Sequence, residues 1–109
     1  PCFPRDNEAF GKFIETLNLD DSIQKASIKS NKSHLPVFMD FLASKSDPII
    51  FESISYKKNT DILDNSQQLL TAIYLVNNGK KVKIIETEEM IKRIKELYPD
   101  LPFVYEVKK

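Results

Sequence analysis

Apolar residues recur at helical spacing at Phe10, Phe13, Ile14 and Leu17, which predicts an amphipathic helix that Asp6 or Asn7 can cap. Asn18 to Asp21 reads as its end, and Asp20–Asp21–Ser22 as the start of a weaker second helix through Ile23 and Ile28. The polar, Lys-rich run from Ser27 to Ser33 predicts a loop. Ser33 then offers an N-cap, and Pro36 falls in a first turn, where its missing N–H is harmless. Leu35, Phe38, Met39 and Leu42 form the next apolar stripe, which should stop by Ser46, before Asp47–Pro48.

From Pro48 the period changes. Ile49 to Tyr56 is β-branched and aromatic, with Ile50, Ile54 and Tyr56 on one face and Ile49 and Phe51 on the other, so it predicts a strand buried on both sides for part of its length. After a polar connection over Lys57 to Thr60, Asp64, Asn65 or Ser66 can cap a helix to Asn77, and Asn77–Asn78–Gly79 should stop it. That helix is apolar almost all round at Leu69, Leu70, Ala72, Ile73, Tyr74, Leu75 and Val76, which suits a sandwiched position.

Val82 to Ile85 predicts a second strand. Thr87 caps a helix with the apolar face Met90, Ile91, Ile94, Leu97 and Tyr98, and with Glu88–Lys92 and Glu89–Arg93 one turn apart. Pro99 ends it, and Phe103 to Val107 reads as a third strand. The chain is therefore expected to be one α/β domain over residues 1–109. A mainly helical N-terminal subdomain (1–47) would pack on a small three-stranded sheet (48–109), βαβαβ and parallel because the connections suit right-handed crossovers.

Length and composition narrow the function classes. A chain of 109 residues with 41% hydrophobic residues can bury one core without disulfide or metal staples. One Cys and one His leave no internal bridge and no Cys-rich zinc site. The apolar run Leu69 to Val76 is too short to span a bilayer, and no basic–apolar leader opens the sequence, so an intracellular, cytoplasmic location is expected. A first residue of Pro is what removal of an initiator Met or upstream cleavage leaves, which points to a processed domain.

Charge adds a further restriction. The 16 basic and 16 acidic groups balance, and the net charge is −1 over residues 1–47, −1 over 48–79 and +2 over 80–109. The basic residues are Lys except Arg5 and Arg93, and Arg is the side chain suited to bidentate reading of phosphate and guanine. A nucleic-acid partner is thus disfavoured, no membrane partner is indicated, and the oligomeric state stays open.

Candidate chemistry lies where ligands collect in open parallel sheets, beyond the carboxyl ends of the strands. That edge gathers Asp61, Asp64, Asn65, Ser66, Glu86 and Thr87 as ligand-binding candidates. The competing reading is that Asp64, Ser66 and Thr87 cap helices and the others solvate a loop. The connection has no Gly, hence no backbone cradle for a phosphate.

At the C-terminus, Pro99–Asp100 followed by Glu106–Val107–Lys108 resembles the PD-(D/E)xK nuclease motif. The resemblance implies that Asp100 and Glu106 hold Mg²⁺ while Lys108 stabilises the attacking hydroxide or the phosphate. Ile62–Leu63–Asp64 with Gln67–Gln68–Leu69–Leu70–Thr71 resembles the DGQQRLT stretch of ParB-related nuclease and NTPase domains, but with an extra residue, no Gly, and Leu69 in place of the Arg, so no role transfers. Cys2, His34 and Gln67 or an acid would make a thiol nucleophile and its base only if the fold brought them together. Pro1 is similar to the N-terminal base of tautomerases, which need a strand directly after it, and Cys2 to Asp6 makes a poor one.

Phe3, Phe10, Phe13, Phe38 and Phe41 crowd the first 41 residues and are expected mostly in the core, with any exposed remainder forming a protein-binding patch. The leading expectation is a non-enzymatic protein–protein interaction module without cofactor or metal, whose partner is another protein. The alternative is a Mg²⁺-dependent nuclease using Asp100, Glu106 and Lys108.

Overall fold

Helix α1 (Cys2–Thr16) opens a computed structural model that describes residues 2–109. Pro1 and the side chain of Cys2 lie outside the described residues, and with them the N-terminal Pro base and the Cys2 thiol considered above. The chain divides into two compact units after Phe38, described in turn.

In the first unit, α1 begins well before the anticipated cap at Asp6 or Asn7, with Pro4 in its first turn, where a missing N–H costs nothing. It ends as predicted. Asn18 takes a φ of 53°, the Leu19 N–H donates to the Ile14 carbonyl (3.2 Å) and the Asn18 N–H to the Glu15 carbonyl (3.0 Å), which is the Schellman pattern.

Helix α2 (Ser22–Ala43) corrects the expected loop over Ser27 to Ser33: the helix runs unbroken through it and through Pro36. The Lys-rich stretch is a solvated helical face. Lys25 pairs with Asp21 (3.0 Å) and Glu15 (3.3 Å), and Lys32 with Glu8 (3.5 Å), so rising numbers on α2 meet falling numbers on α1, as in an antiparallel hairpin. Ser33 does not cap a helix; its hydroxyl donates to the Ser30 carbonyl a turn back (2.7 Å). The helices pass close at Gly11, where an added Cβ would meet that of Gln24 at 3.5 Å, an ordinary van der Waals contact.

The aromatic residues do not form the expected core. Phe3, Phe10, Phe13, Phe38 and Phe41 are all at least half exposed, whereas Gly11 and Ile14 are buried. Two helices share only one narrow seam, and small or single aliphatic side chains fill it.

The second unit contains β1 (Ile49–Phe51), α3 (Gln67–Asn77), β2 (Val82–Glu86), α4 (Glu88–Leu97) and β3 (Val104–Val107). The strands lie in the order β1-β2-β3, all parallel, with Ile49 opposite Val82 and Lys83 opposite Val104. The expected α/β class with a small parallel βαβαβ sheet is what the chain adopts. Sequential order with right-handed crossovers lays α3 and α4 on one face. Ile49, Phe51, Val82 and Ile84 point into that face and pack with Leu69, Ala72, Leu75, Met90 and Ile94.

The opposite face carries Ile50 and Val104, both more than half exposed, and the Lys83–Glu106 ion pair. β1 is therefore buried on one side only, and it stops at Phe51 instead of reaching Tyr56. Helix α3 is likewise laid on the sheet and not enclosed, since Leu70 is 44% exposed. Its end follows the sequence: Gly79 at φ 78° lets the Lys80 N–H donate to the Leu75 carbonyl (3.0 Å). The Tyr74 hydroxyl donates to the Asp40 carboxylate (2.9 Å), tying the last turns of α2 to α3. No helix among the described residues is long and apolar enough to cross a membrane.

Candidate functional site

The carboxyl ends of all three strands open onto one crevice of about 570 Å³, within the usual size of small-molecule sites. Ser53 and Ser55 enter it just beyond β1, Glu86 and Thr87 from the end of β2, and Lys108 from just beyond β3. The loop from Lys58 to Asp61 forms one wall, and Glu89, Met90 and Arg93 of α4 form the other.

That loop is built locally. The Tyr56 N–H donates to the Ile62 carbonyl (2.7 Å) and closes it, while the Thr60 hydroxyl donates to the Lys57 carbonyl (2.8 Å) across a turn in which Asn59 takes φ 63°. Arg93 straps it to α4 by donating to the Asp61 carbonyl (2.7 Å), with the Asp61 carboxylate 3.7 Å away. This replaces the Glu89–Arg93 pair suggested by helical spacing, because the loop brings a carbonyl and a carboxylate together within reach of the guanidinium.

Glu86 is 6% exposed at the floor. Its Oε1 accepts from the Ile54 N–H (2.8 Å) and the Ser53 hydroxyl (3.0 Å), and its Oε2 from the Thr87 N–H (3.2 Å). The Ser53 and Ser55 hydroxyls are 3.1 Å apart, and Ser55 donates to the Lys57 carbonyl (2.9 Å). The crevice thus sets cationic Lys58, Arg93 and Lys108 beside hydroxyls and carboxylates. Cations suit a phosphate, while carboxylates and hydroxyls suit sugar hydroxyls.

Of the residues singled out in the sequence, Asp61, Glu86, Thr87 and Lys108 meet here. Ser66 is buried as the N-cap of α3, accepting from the Leu69 N–H (3.2 Å) and donating to the Ile54 carbonyl (2.7 Å). Thr87 caps α4 by accepting from the Met90 N–H (3.3 Å) as well as lining the crevice. Asp64 and Asn65 are exposed in the turn before α3, with Asn65 at φ 55°. His34 is exposed on α2.

The sequence did not single out Ser53, Ser55, Lys58 or Arg93 for this crevice. Ser53 and Ser55 were hidden because alternation through Tyr56 made them look like strand residues. The signal available was their polarity at every second position, which marks an edge facing polar surroundings.

Asp100, Glu106 and Lys108 are not brought together. Asp100 precedes β3, at the amino end of the sheet, and Lys108 follows it. Glu106 shares a face with Ile85, opposite the side of Glu86, and pairs with Lys83. Among the described residues no three His, Cys, Asp or Glu side chains are grouped to hold a metal ion. The motif fails here because β3 itself separates its members, Asp100 lying before the strand and Lys108 beyond its end.

No protein-family model matches the chain. It is 31% identical over 91 residues to the UDP-glucose 6-dehydrogenases of Rickettsia conorii and Rickettsia felis, an alignment covering 78% of this chain and 21% and 20% of those enzymes. The chain thus spans about a fifth of the length of the curated relatives it matches. A solved UDP-glucose dehydrogenase from the hyperthermophilic archaeon Pyrobaculum islandicum superposes with a TM-score of 0.77 at 23% identity, over 96% of this chain and 25% of that one. This likeness establishes the fold.

These findings overturn the expected interaction module, its protein-binding patch and its nuclease alternative: the relatives are dehydrogenases. The expectation of no cofactor, or of Mg²⁺, falls with them, because a dehydrogenase must pass a hydride to an acceptor.

Proposed function

We propose that this chain corresponds to a nucleotide-binding βαβαβ part of an enzyme of the UDP-glucose 6-dehydrogenase kind, and that its crevice holds a nucleotide diphosphate. The observation that carries this is the 31% identity over 91 residues, 78% of the chain, to two such enzymes. Lys58, Arg93 and Lys108 would neutralise the diphosphate, and the Ser53, Ser55 and Thr60 hydroxyls would meet ribose or hexose hydroxyls. Such a reading also keeps the intracellular, cytoplasmic location inferred from sequence.

Two ligands share the required chemistry, the UDP-sugar substrate and a nicotinamide dinucleotide, NAD(H), as hydride acceptor. A dinucleotide held in the usual doubly wound manner needs glycines in the first strand-to-helix turn and an acidic side chain free for the ribose. Here the connection from Glu52 to Ser66 has no Gly, and Glu86 is already engaged by Ser53, Ile54 and Thr87. These residues do not fit a dinucleotide bound in that way, and UDP-glucose is the better match. The crevice lining contains neither Cys nor His among the described residues, so the part it plays is binding and orientation.

Calorimetric titration of the full chain with UDP-glucose, UDP and NAD⁺ tests this. UDP-glucose and UDP should bind, NAD⁺ should bind more weakly, and Lys58→Ala with Arg93→Ala should weaken the UDP arm. Tighter binding of NAD⁺ would move the assignment to the dinucleotide, and absence of binding in every arm would refute it.

A further inference from the structure

We propose that Glu86 is a positioning residue of this crevice: its carboxylate grips the Ser53–Ile54 segment and the start of α4, fixing where the Ser53 and Ser55 hydroxyls stand before any ligand arrives. The inference rests on the reading of the crevice as a nucleotide-diphosphate site. Glu86 is the charged residue found in the buried set among the described residues, and its charge is met by N–H and O–H donors. Burying a carboxylate is costly unless its oxygens are satisfied, so its presence calls for a structural demand that only it meets.

That demand is visible in the bonding. The Ile54 N–H donates to one carboxylate oxygen and the Thr87 N–H to the other, from positions 32 residues and one residue away along the chain. Both need an acceptor. An amide at this place supplies one oxygen and one NH₂, which sets donor against donor at one of the two contacts, and a shorter hydroxyl cannot span both. Ile54 is gripped from its other side too, since the Ser66 hydroxyl donates to its carbonyl (2.7 Å). Ile54 is fully buried, so the flanking Ser53 and Ser55 are carried on a backbone that has no freedom to re-aim them. Loops that bear ligand contacts are ordinarily mobile; this one is held at its entry by a carboxylate from the neighbouring strand.

The test compares Glu86→Gln with Leu75→Ala, a core change in α3 that lowers stability without touching the crevice. Both are examined as the full chain where they are fully folded. Amide hydrogen exchange and proton shifts are read at Ile54 and Thr87, and UDP-glucose affinity is read by titration. In Glu86→Gln, at least one of the two amides should exchange about tenfold faster or more, and affinity should fall about tenfold. Leu75→Ala should bind within about twofold of wild type.

Unchanged amides in Glu86→Gln, or lost protection with unchanged affinity, would overturn the positioning role. The wild type alone provides a second check: the Ile54 amide must already be protected without ligand, and free exchange there refutes the proposal even if the Gln variant fails to fold. A wild type that binds no nucleotide refutes the ligand reading and the positioning role with it. A wild type and Glu86→Gln that bind equally refute the positioning role alone.

Discussion

Replacing Ser66 by Ala removes two hydrogen bonds from the interior at once. The side chain is 1% exposed, its Oγ accepts from the Leu69 N–H at the start of α3, and it donates to the carbonyl of the fully buried Ile54. Loss of an N-cap of this kind costs about 1 kcal/mol. A buried carbonyl left without a donor costs about 1–3 kcal/mol more, because alanine opens too little room for a bridging water. Ser66→Ala should therefore destabilise the second unit by roughly 2–4 kcal/mol. Urea unfolding followed by circular dichroism measures this directly, and melting should fall by roughly 10–20 °C for a unit of this size. Ser66→Asp separates the two contributions: it restores the capping acceptor but offers no donor to Ile54, and should be no more stable than Ser66→Ala. A loss below about 0.5 kcal/mol for Ser66→Ala, the range of an ordinary surface change, would refute the claim that this hydroxyl holds the β1–α3 connection.

Leu75→Ala, at a completely buried position of α3, should cost about 2–5 kcal/mol in the same unfolding assay, and a value under 1 kcal/mol would mean the core collapses around the gap. Gly79→Val places a β-branched side chain at φ 78°; nothing lies within 4 Å of the added Cβ, so the cost, about 1–2 kcal/mol, is purely conformational and should not be relieved by second-site changes nearby. Asp20 is held below its ordinary value of 3.8 by hydrogen bonds from the Ser22 hydroxyl and N–H. A depressed folded-state value means that its contribution is present above pH 3.8 and is lost as pH falls through the lower folded value, and Ser22→Ala should move the carboxyl back up in an NMR titration.

Local chemistry set much of this fold. The period change after Pro48, the caps at Ser66 and Thr87 and the Gly79 stop are short-range features, readable because one residue's φ or one hydroxyl decides each. The same logic places the crevice at the strand ends and picks out Asp61, Glu86 and Thr87. It misread the run Ser27 to Ser33, where Lys32 pairs with Glu8 of the neighbouring helix, a partnership that exists only after α1 and α2 meet.

Burial was the larger failure. Hydrophobic pattern gives the face a side chain occupies but not whether another layer covers that face, so Phe10, Phe13 and Ile50 were expected inside and stand exposed. The crevice shows the same division between the two levels. Ser53 and Arg93 became part of it only when β1 ended at Phe51 and the Lys58–Asp61 loop folded over α4, events set by contacts more than thirty residues apart in sequence. The succession of elements and the polar groups at their ends are legible along the chain, because these depend on near neighbours. Tertiary structure alone decided that the Asp100–Glu106–Lys108 motif is split between faces and ends of the sheet, and that the Glu86 carboxylate faces three donors, because both depend on which strand lies beside which.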